Sequence, residues 1–340
     1  MRTIEWKTGI VKTIDQTKLP RQTVFLELKN CNEVAEAIKN MRMRGAPLLG
    51  AAAAYGLALT AYHSTARDKE KLMEELTISA ETLKKTRPTA VNLFWAIDRV
   101  MNKAEKTNEN TESIVKTIIE EAQKIADEDV EMNLRMGEHG STLIDDGDTV
   151  LTHCNAGALA TVDYGTALGV IRAARKNGKR IEVIATETRP LLQGARLTAY
   201  ELFRDGFPIT LITDSMAGYI MSKGLINKVV VGADRIVKDA VVNKIGTFTL
   251  AVLAHEHKIP FYVAAPTSTF DINRLAKDVI VEERSMEEVV KFAGIQVAPQ
   301  GVTASNPAFD LTPMKYVTAI ICEAGVFSPT ELHKSSRFRD

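Results

Sequence analysis

The sequence predicts an α/β protein in two parts: a small antiparallel sheet with a helical lobe, then a Rossmann-like parallel sheet with helices on both faces. Three observations carry this. A length of 340 residues exceeds what one compact core usually holds. Residues 46–140 keep a helical rhythm. After Asp145-Asp146-Gly147-Asp148 the rhythm changes to short β-branched strands separated by helix-length segments, the pattern of a parallel sheet. The division predicted is 1–145 for the meander and helical domain and 146–340 for the Rossmann-like catalytic domain.

The elements follow in order. Ile4 and Trp6, Ile10 and Val11, then Val24, Phe25 and Leu26 form short extended pieces separated by Gly9 and Pro20, which predicts an antiparallel meander. Asn30 with Glu33 three places on can cap a helix whose apolar face is Val34, Ala35, Ile38 and Met41. That helix is expected to stop at Arg44-Gly45. Pro47 suits a first helical turn, Pro88 opens another helix, and Ile114, Ile118, Ala122 and Ile125 mark a stripe at spacings of three and four. Strands are expected at 149–153, 181–185, 209–213, 228–231 and 261–264. Such sheets bind ligands outside the carboxyl ends of their strands. Those ends are Cys154-Asn155, Glu187-Thr188-Arg189, Asp214-Ser215, Asp234-Arg235 and Pro266-Thr267. Residues 334–340 read as a frayed tail.

Composition narrows the partners. Lysines plus arginines equal aspartates plus glutamates at 43 each, so no net field draws nucleic acid or an anionic membrane. Three cysteines without a CxxC pair suggest neither a disulfide framework nor a structural zinc site. The N-terminus lacks the apolar core of a signal peptide, and a cytoplasmic location is expected. The uncharged run 46–62 is rich in alanine and glycine, whose hydrophobicity is weak; it reads as a helix buried between neighbours rather than a membrane span. No metal is indicated: His255 and His257 lie two apart in an expected helix, where side chains diverge. Neither the dinucleotide glycine fingerprint nor the nucleotide-binding lysine loop occurs, which speaks against a dehydrogenase or an ATPase.

Two residues could carry chemistry. Asp234 follows the apolar run Val229, Val230, Val231, Gly232 and Ala233, so burial is expected to raise its pKa and let it act as a general acid. The plain alternative is a cap or a partner of Arg235. Cys154 ends the strand VLTHC and precedes small residues expected to start a helix, which lowers a thiol pKa. Its plain alternative is a small buried hydrophobe. His153 points to the opposite strand face from Cys154 and reads as a packed histidine. A thiol and a poorly hydrated carboxyl at two strand ends can move protons between adjacent carbons without a metal. Arg44-Gly45-Ala46-Pro47 could hold phosphate at a helix start, and Arg87-Pro88-Thr89 repeats the device. Gln193-Gly194 beside Arg189-Pro190, and Asn243-Lys244, could add further donors.

The segments RGAP at 44–47, RPTAVNLFWAI at 87–97, THCNAGALAT at 152–161, ETRPLLQGARLTA at 187–199, TDSMAG at 213–218, GADRI at 232–236, NKIGTF at 243–248, APTSTFD at 265–271 and NPAFDLTP at 306–313 resemble methylthioribose-1-phosphate isomerase. That family is shared with regulatory subunits of translation initiation factor 2B. The resemblance implies a metal-free, cofactor-free aldose to ketose isomerisation in methionine salvage, from 5-methylthioribose 1-phosphate to 5-methylthioribulose 1-phosphate. It places the catalytic thiol at Cys154 and the proton-donating carboxyl at Asp234. It places phosphate and sugar contacts at Arg44, Gly45, Ala46, Arg87, Gln193, Asn243 and Lys244, and it implies a homodimer. Where relatives carry an Asn-Gly-Asp turn, residues 237–240 here are Val-Lys-Asp-Ala, without glycine. Two rival readings share the fold: a binding-only regulatory subunit, and a sister isomerase acting on ribose 1,5-bisphosphate.

Overall fold

A computed structural model describes residues 1–107 and 110–331 and divides into two compact units. The first comprises Met1–Leu134 and Gly157–Gly165, and the second Arg135–Ala156 with the chain from Thr166 onward. The tail expected at 334–340 lies outside the described residues.

In the first unit, β1 (Ile4–Trp6), β2 (Val11–Ile14) and β3 (Phe25–Leu28) pair in sequence order as the antiparallel meander expected. Helix α1 (Cys31–Lys39) is capped as its sequence implies: the Asn30 side chain accepts from Glu33 N–H at 2.9 Å, while Glu33 accepts from Lys29 N–H. It ends five residues before the expected stop, where Met41 turns the chain with φ 58°. Helix α2 (Ala46–His63) is buried along almost its whole length, because alanine and glycine let neighbours approach from every side. Helices α3 (Lys69–Lys84) and α4 (Val91–Lys106) pack on it. Pro88 does not open α4. Residues 87–89 form a turn before a helix that starts at Val91. Helix α5 (Thr111–Ser141) buries Ile114, Ile118, Ala122 and Ile125, the stripe read from the sequence.

One buried polar cluster ties the segment 157–165 to α5. The carboxylate of Asp129 accepts the Val162 N–H at 2.7 Å and the Asn133 amide at 3.1 Å. Burial, the dominant influence, pushes the Asp129 carboxyl up to about 7, against those two hydrogen bonds, which favour the charged form.

The second unit is built on a seven-stranded sheet among the described residues. Its strands are β4 (Thr149–Thr152), β5 (Glu182–Thr186), β6 (Ile209–Ile212), β7 (Lys228–Val231), β10 (Phe261–Ala264), β15 (Ala319–Cys322) and β16 (Gly325–Phe327). Only β16 pairs antiparallel, with β15. The lateral order is β16-β15-β10-β7-β4-β5-β6. Counted along the chain, the six parallel strands therefore run 3-2-1-4-5-6, the order of a doubly wound sheet. Val229 and Val231 bury in one hydrophobic cluster and Val230 in another, so both faces are covered. One face packs α6 (Ala167–Lys176) and α7 (Ala199–Arg204), the other α8 (Ala217–Ser222) and α9 (Thr247–Glu256). Between β7 and α9 the chain forms β8 (Arg235–Val237) and β9 (Ala240–Lys244), flanked by β11 (Phe270–Asp271) and β14 (Phe309–Pro313) in a second sheet. A short helix, α10 (Glu287–Val290), precedes a small hairpin of β12 (Lys291–Phe292) and β13 (Ile295–Gln296).

The β8–β9 turn needs no glycine. Neither Lys238 nor Asp239 takes a positive φ; Lys238 N–H donates to Arg274 O at 2.9 Å and the Asp239 carboxylate accepts from Ala276 N–H at 2.7 Å. Bonds to the neighbouring loop supply the turn chemistry that a glycine would otherwise provide.

Strands β4 and β7 are the switch point. They pair in parallel through Val150 with Lys228 and Leu151 with Val229, yet the chain after β4 continues to α6 on one face and after β7 to α9 on the other. The two departing segments touch: a Cβ on Gly232 would stand 2.7 Å from the Ala156 Cβ, closer than atoms pack. No helix among the described residues is long and apolar enough to cross a membrane.

Two measurements check this packing. Gly232→Ala is expected to cost about 1–3 kcal/mol in urea denaturation, and an unchanged midpoint contradicts the contact. Because the Asp129 carboxyl is raised in the folded state, its stabilisation is complete below the ordinary carboxylate range and is lost as pH rises through about 7. Asp129→Asn keeps an acceptor for the Val162 N–H and should flatten the fall in stability between about pH 4 and 7. A slope identical to that of the parent would refute the assignment.

Candidate active site at the switch point of the second unit

Cys154 lies just past the end of β4, and its backbone is unusual: φ is 60°, the left-handed region that non-glycine residues seldom adopt. The expectation that it opens a helix is not met. The next α-helix along the chain, α6, begins only at Ala167, so Cys154 does not lie in the first turn of a helix. What holds Cys154 is a pair of hydroxyls. Its N–H donates to Thr188 Oγ1 at 2.9 Å, and its carbonyl accepts from Thr198 Oγ1 at 2.6 Å. The next residue, Asn155, is buried and donates to Glu201 at 2.9 Å, a carboxylate that also pairs with Arg172. Cys154 is partly exposed, whereas Cys31 and Cys322 are buried, so the plain reading of a sealed hydrophobe describes those two and not Cys154.

His153 is packed, as its strand position implied, and it is 2% exposed. Its Nε2 lies 2.8 Å from the Ile245 carbonyl, which can only accept, so Nε2 carries the proton; Nδ1 then accepts from Thr186 Oγ1 at 2.6 Å. Burial lowers its pKa, which keeps the ring neutral and the pattern intact. The ring thus fastens the end of β4 to Ile245, the neighbour of Lys244.

Asp234 stands between β7 and β8 and is partly rather than fully buried, less dry than its apolar approach suggested. Its N–H donates to Val242 O at 2.9 Å, and Val242 is also the register partner of Arg235. Two residues against one is the arrangement of a bulge, which turns a side chain out of the ladder. The Arg235 guanidinium engages Asp271 at 3.6 Å. Asn243, adjacent to Val242, is 5% exposed and donates from Nδ2 to Thr247 Oγ1 at 3.0 Å. Lys244 ends β9, its ammonium donating to Ala308 O at 2.7 Å and lying 4.6 Å from the Phe309 ring. Asp310 on β14 accepts from Gly246 N–H at 2.7 Å and Phe248 N–H at 3.1 Å, capping α9. Burial pushes the Asp310 carboxyl up to about 6, opposed by those backbone donors and by Lys244.

Gln193 leads into a π-helical turn, Gly194–Thr198. Glycine is required at its start, since a Cβ on Gly194 would fall 1.7 Å from the Thr186 carbonyl oxygen and 2.9 Å from Thr188 Oγ1. Gln193 is 4% exposed, and its Oε1 has no hydrogen-bond partner among the described residues. A buried acceptor left open is costly, and a ligand hydroxyl is the kind of group that would satisfy it.

Within the second unit, then, the expected residues converge. Cys154 bonds Thr188 beside Gly194, its neighbour His153 bonds Ile245 beside Lys244, and Asp234 bonds Val242 beside Asn243. Arg44, Gly45, Ala46 and Arg87 belong to the first unit. There Gly45 caps α2 with φ 108° and presses on Ala160, where a Cβ would stand 2.5 Å from the backbone. Arg44 is 7% exposed, and Arg87 Nη1 lies 3.5 Å from Met41 Sδ. The sequence reading missed Thr188, Thr198 and Asp310 as supports of the site. A β-branched residue with positive φ leaves no sequence signal, and the only cue for Asp310 was its place in the NPAFDLTP segment. Among the described residues no group of three or more His, Cys, Asp or Glu is arranged to hold a metal ion.

Comparison with known proteins places the chain in a family. The model of the initiation factor 2 subunit family matches residues 42–329. The methylthioribose-1-phosphate isomerase of Acetivibrio thermocellus is 52% identical over 342 residues, covering 100% of both chains. The crystal structure of 5-methylthioribose 1-phosphate isomerase from Pyrococcus horikoshii superposes with a TM-score of 0.91 at 48% identity, covering 98% of this chain and 95% of that one. A crystal structure of translation initiation factor eIF-2B, subunit delta, from A. fulgidus superposes with a TM-score of 0.88 at 55% identity, covering 98% and 97%. The resemblance read from the motifs therefore extends over the full fold. This chain belongs to the initiation factor 2 subunit family and, within it, is an intramolecular oxidoreductase of the sugar-phosphate isomerase kind.

Proposed function

We propose that the protein converts 5-methylthioribose 1-phosphate to 5-methylthioribulose 1-phosphate in methionine salvage, with Asp234 as proton donor and Cys154 as its partner. The observation that carries this reading is that the two residues follow β4 and β7, the adjacent strands at which a doubly wound sheet opens its binding crevice. The names of the relatives that match end to end supply the substrate.

Phosphate on carbon 1 prevents the free ring opening on which ordinary aldose isomerases rely. Protonated Asp234 delivers its proton to the ring oxygen as the bond from that oxygen to carbon 1 breaks. The hydrogen on carbon 2 then moves to carbon 1, and the carbon 2 hydroxyl becomes the ketone as it gives its proton to the Asp234 carboxylate, which regains the proton it delivered, so atoms and charge balance. Cys154 takes or steadies the migrating hydrogen. On the enolate route that hydrogen leaves as a proton and can exchange with solvent; on the hydride route it stays with the substrate. Gln193, with its open oxygen, and Asn243 and Lys244 are the sugar and phosphate contacts in this reading. Arg44, Gly45, Ala46 and Arg87 stand as further substrate-binding candidates, with Arg44→Ala and Arg87→Ala expected to raise KM. The reading includes a cytoplasmic homodimer acting without cofactor, on a small sugar phosphate and neither nucleic acid nor membrane.

Purified protein should turn over 5-methylthioribose 1-phosphate in the presence of chelator and leave ribose 1,5-bisphosphate untouched. Turnover of the bisphosphate alone, or of neither sugar, overturns the substrate assignment. Cys154→Ala and Asp234→Asn should each lose roughly 3 kcal/mol or more of barrier lowering, a hundredfold in kcat. Near-parental turnover in either variant removes that residue from the mechanism.

A further inference from the structure

Two residues with left-handed backbones stand side by side at the ends of neighbouring strands and are bonded to each other. Cys154 has φ 60° and Thr188 has φ 64°, and the Cys154 N–H donates to Thr188 Oγ1 at 2.9 Å. For a β-branched residue this conformation is a true outlier and persists only where the surroundings over-determine it. The surroundings here do so from both sides. Asp214, just past the end of β6, accepts the Thr188 N–H at 2.8 Å and the Arg189 N–H at 2.7 Å, one on each carboxylate oxygen. The Thr188 hydroxyl donates to the Thr186 carbonyl at 3.3 Å, which leaves its lone pairs for Cys154. Thr188 is 0% exposed, and a Cβ on Gly194 would stand 2.9 Å from its hydroxyl, so the side chain is closely packed on that side.

We propose that Thr188 is a positioning residue for the isomerisation and that Asp214 sets it. The carboxylate pins the 188–189 backbone, the hydroxyl then meets the Cys154 N–H, and that bond with the Thr198 hydroxyl on the Cys154 carbonyl fixes the direction of the Cα–Cβ bond that bears the thiol. The chain of contacts crosses three adjacent strand ends, β6, β5 and β4, and terminates at the sulfur-bearing residue. None of its members besides Cys154 has to touch the substrate. The alternative, that these bonds only hold the fold together, makes a different prediction. A structural role would move stability and leave kcat in place for the molecules that remain folded.

The role of Cys154 in turnover rests on the proposed isomerase reading, so the test carries one arm that needs no substrate. Thr188→Val keeps the β-branched shape and removes the acceptor, whereas Thr188→Ser keeps the acceptor. In folded Thr188→Val protein, verified by circular dichroism, kcat should fall on the order of ten- to a hundredfold with KM within about twofold, because a misdirected group loses rate before it loses binding. Its rate of Cys154 alkylation by iodoacetamide, followed by peptide mass mapping at fixed pH, should change at least threefold as the sulfur is re-aimed. Thr188→Ser should restore most of both. Asp214→Ala, at a partly exposed position, gives the same signature should Thr188→Val fail to fold. Parental kcat and parental alkylation in folded Thr188→Val or Asp214→Ala protein overturn the proposal. Altered alkylation in a protein whose parent turns over no sugar phosphate leaves the positioning role standing and sinks the isomerase reading instead.

Discussion

The second unit depends on a constraint of connection. Neighbouring strands β4 and β7 run parallel, and their chains leave toward opposite faces of the sheet. A right-handed crossover from either strand must carry its helix away from the other, so a cleft opens where the two part. The proposed catalytic pair, Cys154 and Asp234, follows the two strands at that parting. Gly232 lets the segment after β7 press on Ala156 after β4, which brings the stretches holding Asp234 and Cys154 alongside one another. The His153 ring and the Asp234 N–H then bind those stretches to Ile245 and Val242, on either side of the Asn243–Lys244 pair.

Polar groups reinforce this frame by holding backbone rather than by facing solvent. Thr188, Thr198 and Asp214 lock the left-handed Cys154, and Asp310 holds the start of α9. A strained residue costs on the order of 1–3 kcal/mol and must be offset by such bonds. The open Oε1 of Gln193 is a related kind of cost, a buried acceptor left unmatched among the described residues. Both are features of a site that is organised before it is occupied.

Much of the fold was legible because it rests on periodicity. The strand Lys228–Val231 and the strand Phe261–Ala264 were read to the residue, since short runs of β-branched or aromatic residues close to glycine, proline or asparagine leave little choice. The buried stripe on α5 followed from spacing alone. Boundaries set by turns were less legible. The stop of α1 at Lys39 depends on the left-handed Met41, and the late start of α4 depends on the turn at 87–89, neither of which periodicity encodes. At the site, residue types at strand ends pointed to Cys154 and Asp234, but three properties lay beyond sequence. Cys154 sits in a left-handed turn instead of a helix start, Asp234 keeps partial exposure, and the β8–β9 turn closes through Asp239 and Ala276 without glycine. Each is decided by tertiary partners that lie far away along the chain.

In the proposed mechanism Cys154 and Asp234 work as one centre at the parting of β4 and β7. A double-mutant cycle in kcat tests it most directly. If the two act on the same transition state, Cys154→Ala combined with Asp234→Asn should be scarcely slower than the slower single variant, because either loss alone disables the unit. Strictly additive losses would show two independent contributions and contradict the account.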